Sequence, residues 1–331
     1  MKKTLLALSV LLASTAANAG IEVYNKDGAT VNIGGDLEVV YKKSDAKNSS
    51  PEQQIQDADI KFDIRYAVNE EVSVGGFWEF QGDQNNTTDG GAAIMGDVYF
   101  AVYTANMGTL KVGDTCTFGD DLGMGSDYQF GLSEAISSSS AFCGDEVVKY
   151  SIDTGMFYGG VAYRDNQRDT NSTTVTQVTN KIAGVASPTL TPDGSTSAMF
   201  DMNVGVRVAG FDLLAYYGDV ARTDDDILAL EAKYGMDAWN FELGFYTTDG
   251  KLSTAGGDTF AGGVDYTVNA WKFAVGFADQ DFNDATKEDF SEYFVNAGYK
   301  VAPGTTLYAE IADSDKKNTE TAYAAGVKVE F

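Results

Sequence analysis

The chain of 331 residues contains no histidine. That removes the side chain most often used as a general base and as a metal ligand, and with it the usual starting point for an enzyme. Cysteine is nearly as scarce, with Cys116 and Cys143 the only two. Proline occurs four times, and Pro188 and Pro192 fall in a polar stretch where they cost a sheet nothing. After the first 19 residues no run of about 18 apolar residues occurs, which excludes a transmembrane helix. Basic residues are few. Once the two lysines of the first 19 residues are set aside, 21 basic residues face 49 acidic ones, a net charge of −28. A balance this acidic speaks against nucleic acid, which needs clustered Lys and Arg, and favours cations as partners.

The start of the chain, MKKTLLALSVLLASTAANAG, has Lys2 and Lys3, a short apolar stretch from Leu5 to Leu12 and small residues ending in Ala17-Asn18-Ala19. This is the layout of a secretory signal, so residues 1–19 are expected to be cleaved and residues 20–331 to form one exported domain. Export to an oxidising compartment makes a Cys116–Cys143 disulfide chemically sensible. The alternative is two unrelated free thiols. If bonded, the pair closes a polar, glycine-rich loop too long for a tight turn and carries Asp120, Asp121, Asp127 and Glu134 into the space the fold encloses.

Beyond residue 20 the chain reads as strand after strand with a period of two. Ile60, Phe62, Ile64 and Tyr66 alternate with Asp59, Lys61, Asp63 and Arg65, and Trp239, Phe241, Leu243 and Phe245 alternate with Asn240, Glu242, Gly244 and Tyr246. One face suits lipid and the other water. Very short links recur at 69–70, 106–108, 153–155, 209–210, 235–237, 269–270 and 302–304. Between them fall long polar links at 44–56, 82–92, 116–143, 165–197, 221–225, 248–256, 281–287 and 314–319. Fifteen strictly alternating connections imply sixteen antiparallel strands. An even number of strands, with short turns at one end and long loops at the other, is the construction of a transmembrane β-barrel, which leaves no backbone group unpaired in lipid. Tyr41, Tyr99, Tyr103, Tyr217 and Tyr299 are expected in aromatic girdles. A soluble β-sandwich would need a cover for its second face, and no linker, repeat or domain boundary supplies one.

The segment from Glu22 to Gly28, the strand Gly76-Phe77-Trp78-Glu79-Phe80, the hairpin strand from Gly108 to Gly113 leading into the long loop, and a final Phe331 on an alternating strand resemble the trimeric general-diffusion porins of Gram-negative outer membranes. Among these, the porins of marine and vibrio-type bacteria are most similar. The resemblance implies an all-β, sixteen-stranded barrel, a homotrimer in outer-membrane lipid and lipopolysaccharide, Phe331 as assembly signal, and a third long loop, residues 116–143, folded inward as a constriction. In the family, acids on that loop face arginines on the wall. Here the arginine positions align with Asp59, Asp114 and Ser151, the last beside Lys149, and the loop's glutamate position is also changed. The transverse field is therefore expected to be weak. The pore is expected to be lined by Asp59, Asp63, Asp114, Asp120, Asp121, Asp127 and Glu134, with Lys61, Arg65 and Lys149 as the basic residues. Carboxylates lining a narrow neck favour cations.

The acidic runs Asp120-Asp121 and Asp224-Asp225-Asp226 lack the spacing of a calcium loop. No cofactor is expected, and divalent cations would be held only loosely. The resulting expectation is a water-filled, cation-preferring channel for small hydrophilic solutes. A sugar-specific pore would show an aromatic track, and the three tryptophans, Trp78, Trp239 and Trp271, sit on lipid-facing positions instead. A non-conducting surface barrel acting as adhesin or phage receptor would use the long loop from Asn166 to Ser197.

Overall fold

The computed structural model describes residues 20–82, 94–131, 142–165, 198–220, 225–249 and 256–331. They form one antiparallel sheet in which each strand pairs with its neighbours in sequence and the last pairs with the second. The strands are β1 (Ile21–Lys26), β2 (Ala29–Lys43), β3 (Glu52–Ala67), β4 (Val72–Gln81), β5 (Ile94–Thr104), β6 (Gly108–Cys116), β7 (Cys143–Asp153), β8 (Phe157–Arg164) and β9 (Met199–Val208). They continue through β10 (Phe211–Val220), β11 (Asp225–Met236), β12 (Trp239–Thr248), β13 (Gly257–Val268), β14 (Trp271–Phe282), β15 (Phe290–Ala302), β16 (Thr305–Ser314) and β17 (Ala322–Glu330).

These seventeen strands fill sixteen places around the barrel. β17 pairs with Asp36–Lys43 of β2, and β1 pairs with the preceding stretch Ala29–Ile33 along the same edge. The two therefore lie end to end as one composite strand. The join is at Gly35, whose N–H and C=O bond the carbonyl and N–H of Phe331 at 2.9 and 3.0 Å. The β1–β2 hairpin is the one connection that the alternation of short and long links did not count. Its turn, Asp27-Gly28, has φ of 54° and 82°, the pair of left-handed residues that a two-residue hairpin needs.

The outer face is mostly apolar, with Val204, Leu243, Val275, Tyr293 and Ile311 more than half exposed. At the short-turn rim the aromatics form a band across successive strands: Phe211 on Tyr234 at 4.3 Å, Trp239 on Tyr266 at 4.5 Å and Trp271 on Tyr299 at 4.7 Å. Tyr99 and Tyr103 do not belong to this band. On β5 the lipid side is taken by Val98, Phe100 and Val102, so the two tyrosines face inward, against Lys111 and Arg65. The buried apolar cluster lies inside the barrel, where Phe118, Leu122, Met124 and Phe142 of the 116–143 loop pack on Met199, Tyr216, Ile227, Tyr246 and Phe294 of the wall.

At the β9–β10 turn Ala209 has φ 51°, a left-handed conformation that costs an alanine about 1–2 kcal/mol. Asparagine tolerates it better, so Ala209→Asn is expected to raise stability by about 0.5–1 kcal/mol. Urea unfolding of the protein in lipid vesicles checks this.

Candidate functional site

The loop that follows β6 does not rise away from the barrel. Cys116 and Cys143 are direct partners in the β6–β7 register and are disulfide-bonded, and Thr117 N–H still donates to Phe142 O at 2.8 Å. Past this clamp the chain makes a single 3-10 turn, Phe118–Asp121, and then runs round the inner wall. A backbone pressed against a wall needs acceptors for the N–H groups that water no longer reaches. The wall supplies carboxylates. Asp201 on β9 accepts from Gly119 N–H at 2.9 Å, Glu231 on β11 from Gly123 at 2.8 Å and Glu242 on β12 from Gly125 at 2.8 Å. Asp265 on β13 accepts from the Ser126 hydroxyl at 2.9 Å. Glu310 on β16 takes three N–H groups, from Tyr128, Gln129 and Phe130, at 2.7, 2.8 and 2.6 Å.

Inward tyrosines share these carboxylates. Tyr216 donates to Asp201 at 3.1 Å, Tyr246 to Glu231 at 2.9 Å, and Tyr308 to Glu38. Glu38 also accepts from the Gln129 side chain at 2.5 Å, and Tyr128 stacks on Tyr308 with ring centroids 4.3 Å apart. Glu310 and Asp201 are 1 % and 0 % exposed, so both carboxylates are committed to holding the loop.

The anchors named above lie on β9, β11, β12, β13, β16 and β2, and none on β3–β6. Among the described residues the loop therefore leaves an opening towards the inner face of β3–β6. Four cations stand there and on β7. Lys61 bridges Asp36 at 3.1 Å and Glu79 at 3.2 Å, Arg65 pairs with Asp63 at 2.7 Å, and Lys149 pairs with the loop's Asp121 at 3.2 Å. Lys111 lies 4.3 Å from the centre of the Tyr99 ring. Acids outnumber them: Asp36, Asp57, Asp59, Asp63, Glu79, Asp97, Asp120 and Asp121 against these four. In the β2–β3 register Asp36 stands opposite Asp59 and Glu38 opposite Asp57, and oxygens of Asp36, Asp57 and Asp59 lie within 4.8 Å of one another. Like charges placed directly opposite destabilise a sheet, so this crowding serves something other than stability.

The profile of the Gram-negative porin family matches residues 4–319, nearly the whole chain. This protein is a Gram-negative porin. Porin-like protein H of Photobacterium profundum is 28% identical over 357 residues, covering 100% of both chains. Among solved structures, Salmonella typhi OmpF in complex with daunomycin superposes with a TM-score of 0.74 over 94% of this chain and 100% of that one, at 12% identity. The trimer form of Vibrio cholerae OmpT gives 0.69 over 92% and 100%, at 17% identity. The two structures bear on the fold, and the family places the chain in the outer membrane.

Of the residues expected to line the porin's lumen, Asp59, Lys61, Asp63 and Arg65 share the inner face of β3, with Lys149 on β7 and Asp120 and Asp121 at the loop's first turn. Asp127 is turned into the loop itself, against Gly125 and Gly131. Asp114 leaves the set. Thr115 faces inward, bonding Asp97 at 2.8 Å, while Asp114 is paired with Val98 on the lipid-facing side, as Val112 is with Phe100. Glu134 lies outside the described residues. Lys111 and the loop-holding acids Glu38, Asp201, Glu231, Glu242, Asp265 and Glu310 were missed. Their inward direction was readable, because each is a charged residue on the inward parity of an apolar strand, but their contact with the loop was not. Glu310→Ala removes the acceptor of three loop N–H groups and is expected to cost on the order of 3 kcal/mol. The same variant is expected to give a larger, noisier open-channel current, read together with urea unfolding.

Proposed function

We propose that this porin is a water-filled, cation-preferring channel for passive diffusion of ions and small hydrophilic solutes, assembled as a homotrimer in outer-membrane lipid and lipopolysaccharide. One observation carries the preference: among the described residues, eight carboxylates and four cations border the gap between the fastened loop and the β2–β7 wall. Three of the cations are already bonded to carboxylates, which leaves the remaining acids to set the sign of the potential. A neck of one sign in a low-dielectric frame concentrates the opposite ion. The same proposal takes residues 1–19 as a cleaved signal, residues 20–331 as one barrel domain and Phe331 as the assembly signal.

A sugar-stacking pore fits less well. Phe77, Tyr99 and Tyr103 do face the lumen, yet Phe77 and Tyr99 stack on each other at 5.0 Å while Lys111 and Arg65 lie over Tyr99 and Tyr103. Those faces are occupied by the protein's own side chains.

The zero-current potential in a planar bilayer under a KCl gradient tests the reading, and it is expected to have the cation-selective sign. Replacing Asp57 and Asp59 together by Asn is expected to lower the cation-to-anion permeability ratio roughly threefold. An anion-selective wild type would contradict the proposal, and absence of conductance would point to a surface-binding barrel.

A further inference from the structure

Lys111 stands apart from the other cations of the gap. Among the described residues Lys61, Arg65 and Lys149 each hold a carboxylate, whereas Lys111 makes no ion pair and rests on the Tyr99 ring. A ring face steadies an ammonium but accepts none of its three N–H donors in the plane of a lone pair. Directly opposite Lys111, in the β6–β7 register, is Lys149. Two ammoniums on adjacent strands repel, and nothing in the barrel requires the second one.

The same row of the sheet runs from Lys111 through Ala101 and Gly75 to Arg65. The two smallest side chains thus separate the lysines from the arginine. Gly75 leaves the space in which Tyr103 lies under Arg65, since a Cβ there would come 3.2 Å from the Tyr103 ring. The result is a short cationic strip inside a lumen that is otherwise acidic. We propose that Lys111, with Lys149 beside it, is an oxyanion subsite that takes the phosphate or carboxylate group of a solute during passage. Opposed residues on neighbouring strands lie about 5 Å apart, a spacing that a divalent oxyanion bridges with two oxygens and a chloride does not. Asp121, which holds Lys149 at 3.2 Å, is the group such an anion displaces. The subsite depends on the lumen being open to solutes, and not on which ion the whole pore prefers.

The test uses the full-length protein, its K111Q and K111R variants, and inorganic phosphate or succinate as probe. In planar bilayers, with ionic strength held constant, phosphate is expected to reduce the wild-type current saturably. K111Q is expected to need about tenfold more phosphate, while K111R stays near wild type. Phosphorus-31 line broadening by the detergent-solubilised protein reads binding without conduction and is expected to be lost in K111Q and kept in K111R. Saturable block by phosphate but not succinate assigns phosphorylated solutes, and the reverse assigns carboxylates. Equal block and broadening in wild type and K111Q, or neither in the wild type, overturns the subsite. A channel that conducts KCl cation-selectively yet ignores both probes overturns the subsite alone.

Discussion

Inside a barrel, a segment of backbone lying against the wall loses water on one side, and its N–H groups must find acceptors there. This porin meets that need with inward carboxylates on successive strands, from Asp201 on β9 to Glu310 on β16, each placed under a particular loop N–H or hydroxyl. A charged acceptor makes a stronger bond than a neutral one, and its own burial is offset by the several donors it receives. The shape of the opening depends on these contacts. They fix the loop on one side and leave the gap on the other, while the Cys116–Cys143 bond holds the neck from which the loop departs.

The same arrangement divides the acidic residues into two kinds. Those under the loop accept hydrogen bonds from its backbone and hold it against the wall. Those on β2 to β5, together with Asp120 and Asp121, border the gap. Four cations stand among these acids. Lys61 and Arg65 merge with carboxylates of their own wall, whereas Lys149 reaches across to the loop.

Much of the barrel was legible in the sequence, because lipid on one side and water on the other impose a period of two, and the alternation of short and long links separates a barrel from a soluble sandwich with the same period. The fifteen connections read from the sequence separate β2 to β17 in order, although β3 begins at Glu52, inside the link expected at 44–56. The composite strand was not legible, since β1 is short and its pairing along the free part of β2 depends on where β17 stops. Side-chain direction was readable wherever the alternation was unbroken, as on β3. It failed at Asp114, placed in the lumen by an alignment although its strand parity points outward. It failed again at Tyr99 and Tyr103, taken as girdle residues by type although Val98, Phe100 and Val102 claim the lipid side. The loop-holding acids were hidden for a different reason. Nothing local distinguishes a carboxylate that faces water from one that faces a loop more than eighty residues away in sequence.

The most direct measurement is substituted-cysteine accessibility in conducting channels, with the native disulfide intact and a charged, thiol-specific reagent added to the bath. A cysteine replacing Asp63, on the wall that borders the gap, should react quickly and change the current. One replacing Ala261, fully buried behind the loop, should react slowly or not at all. Comparable rates at the two positions would mean that the loop does not lie against β9–β16, and the account of a one-sided opening held in place by wall carboxylates would be wrong.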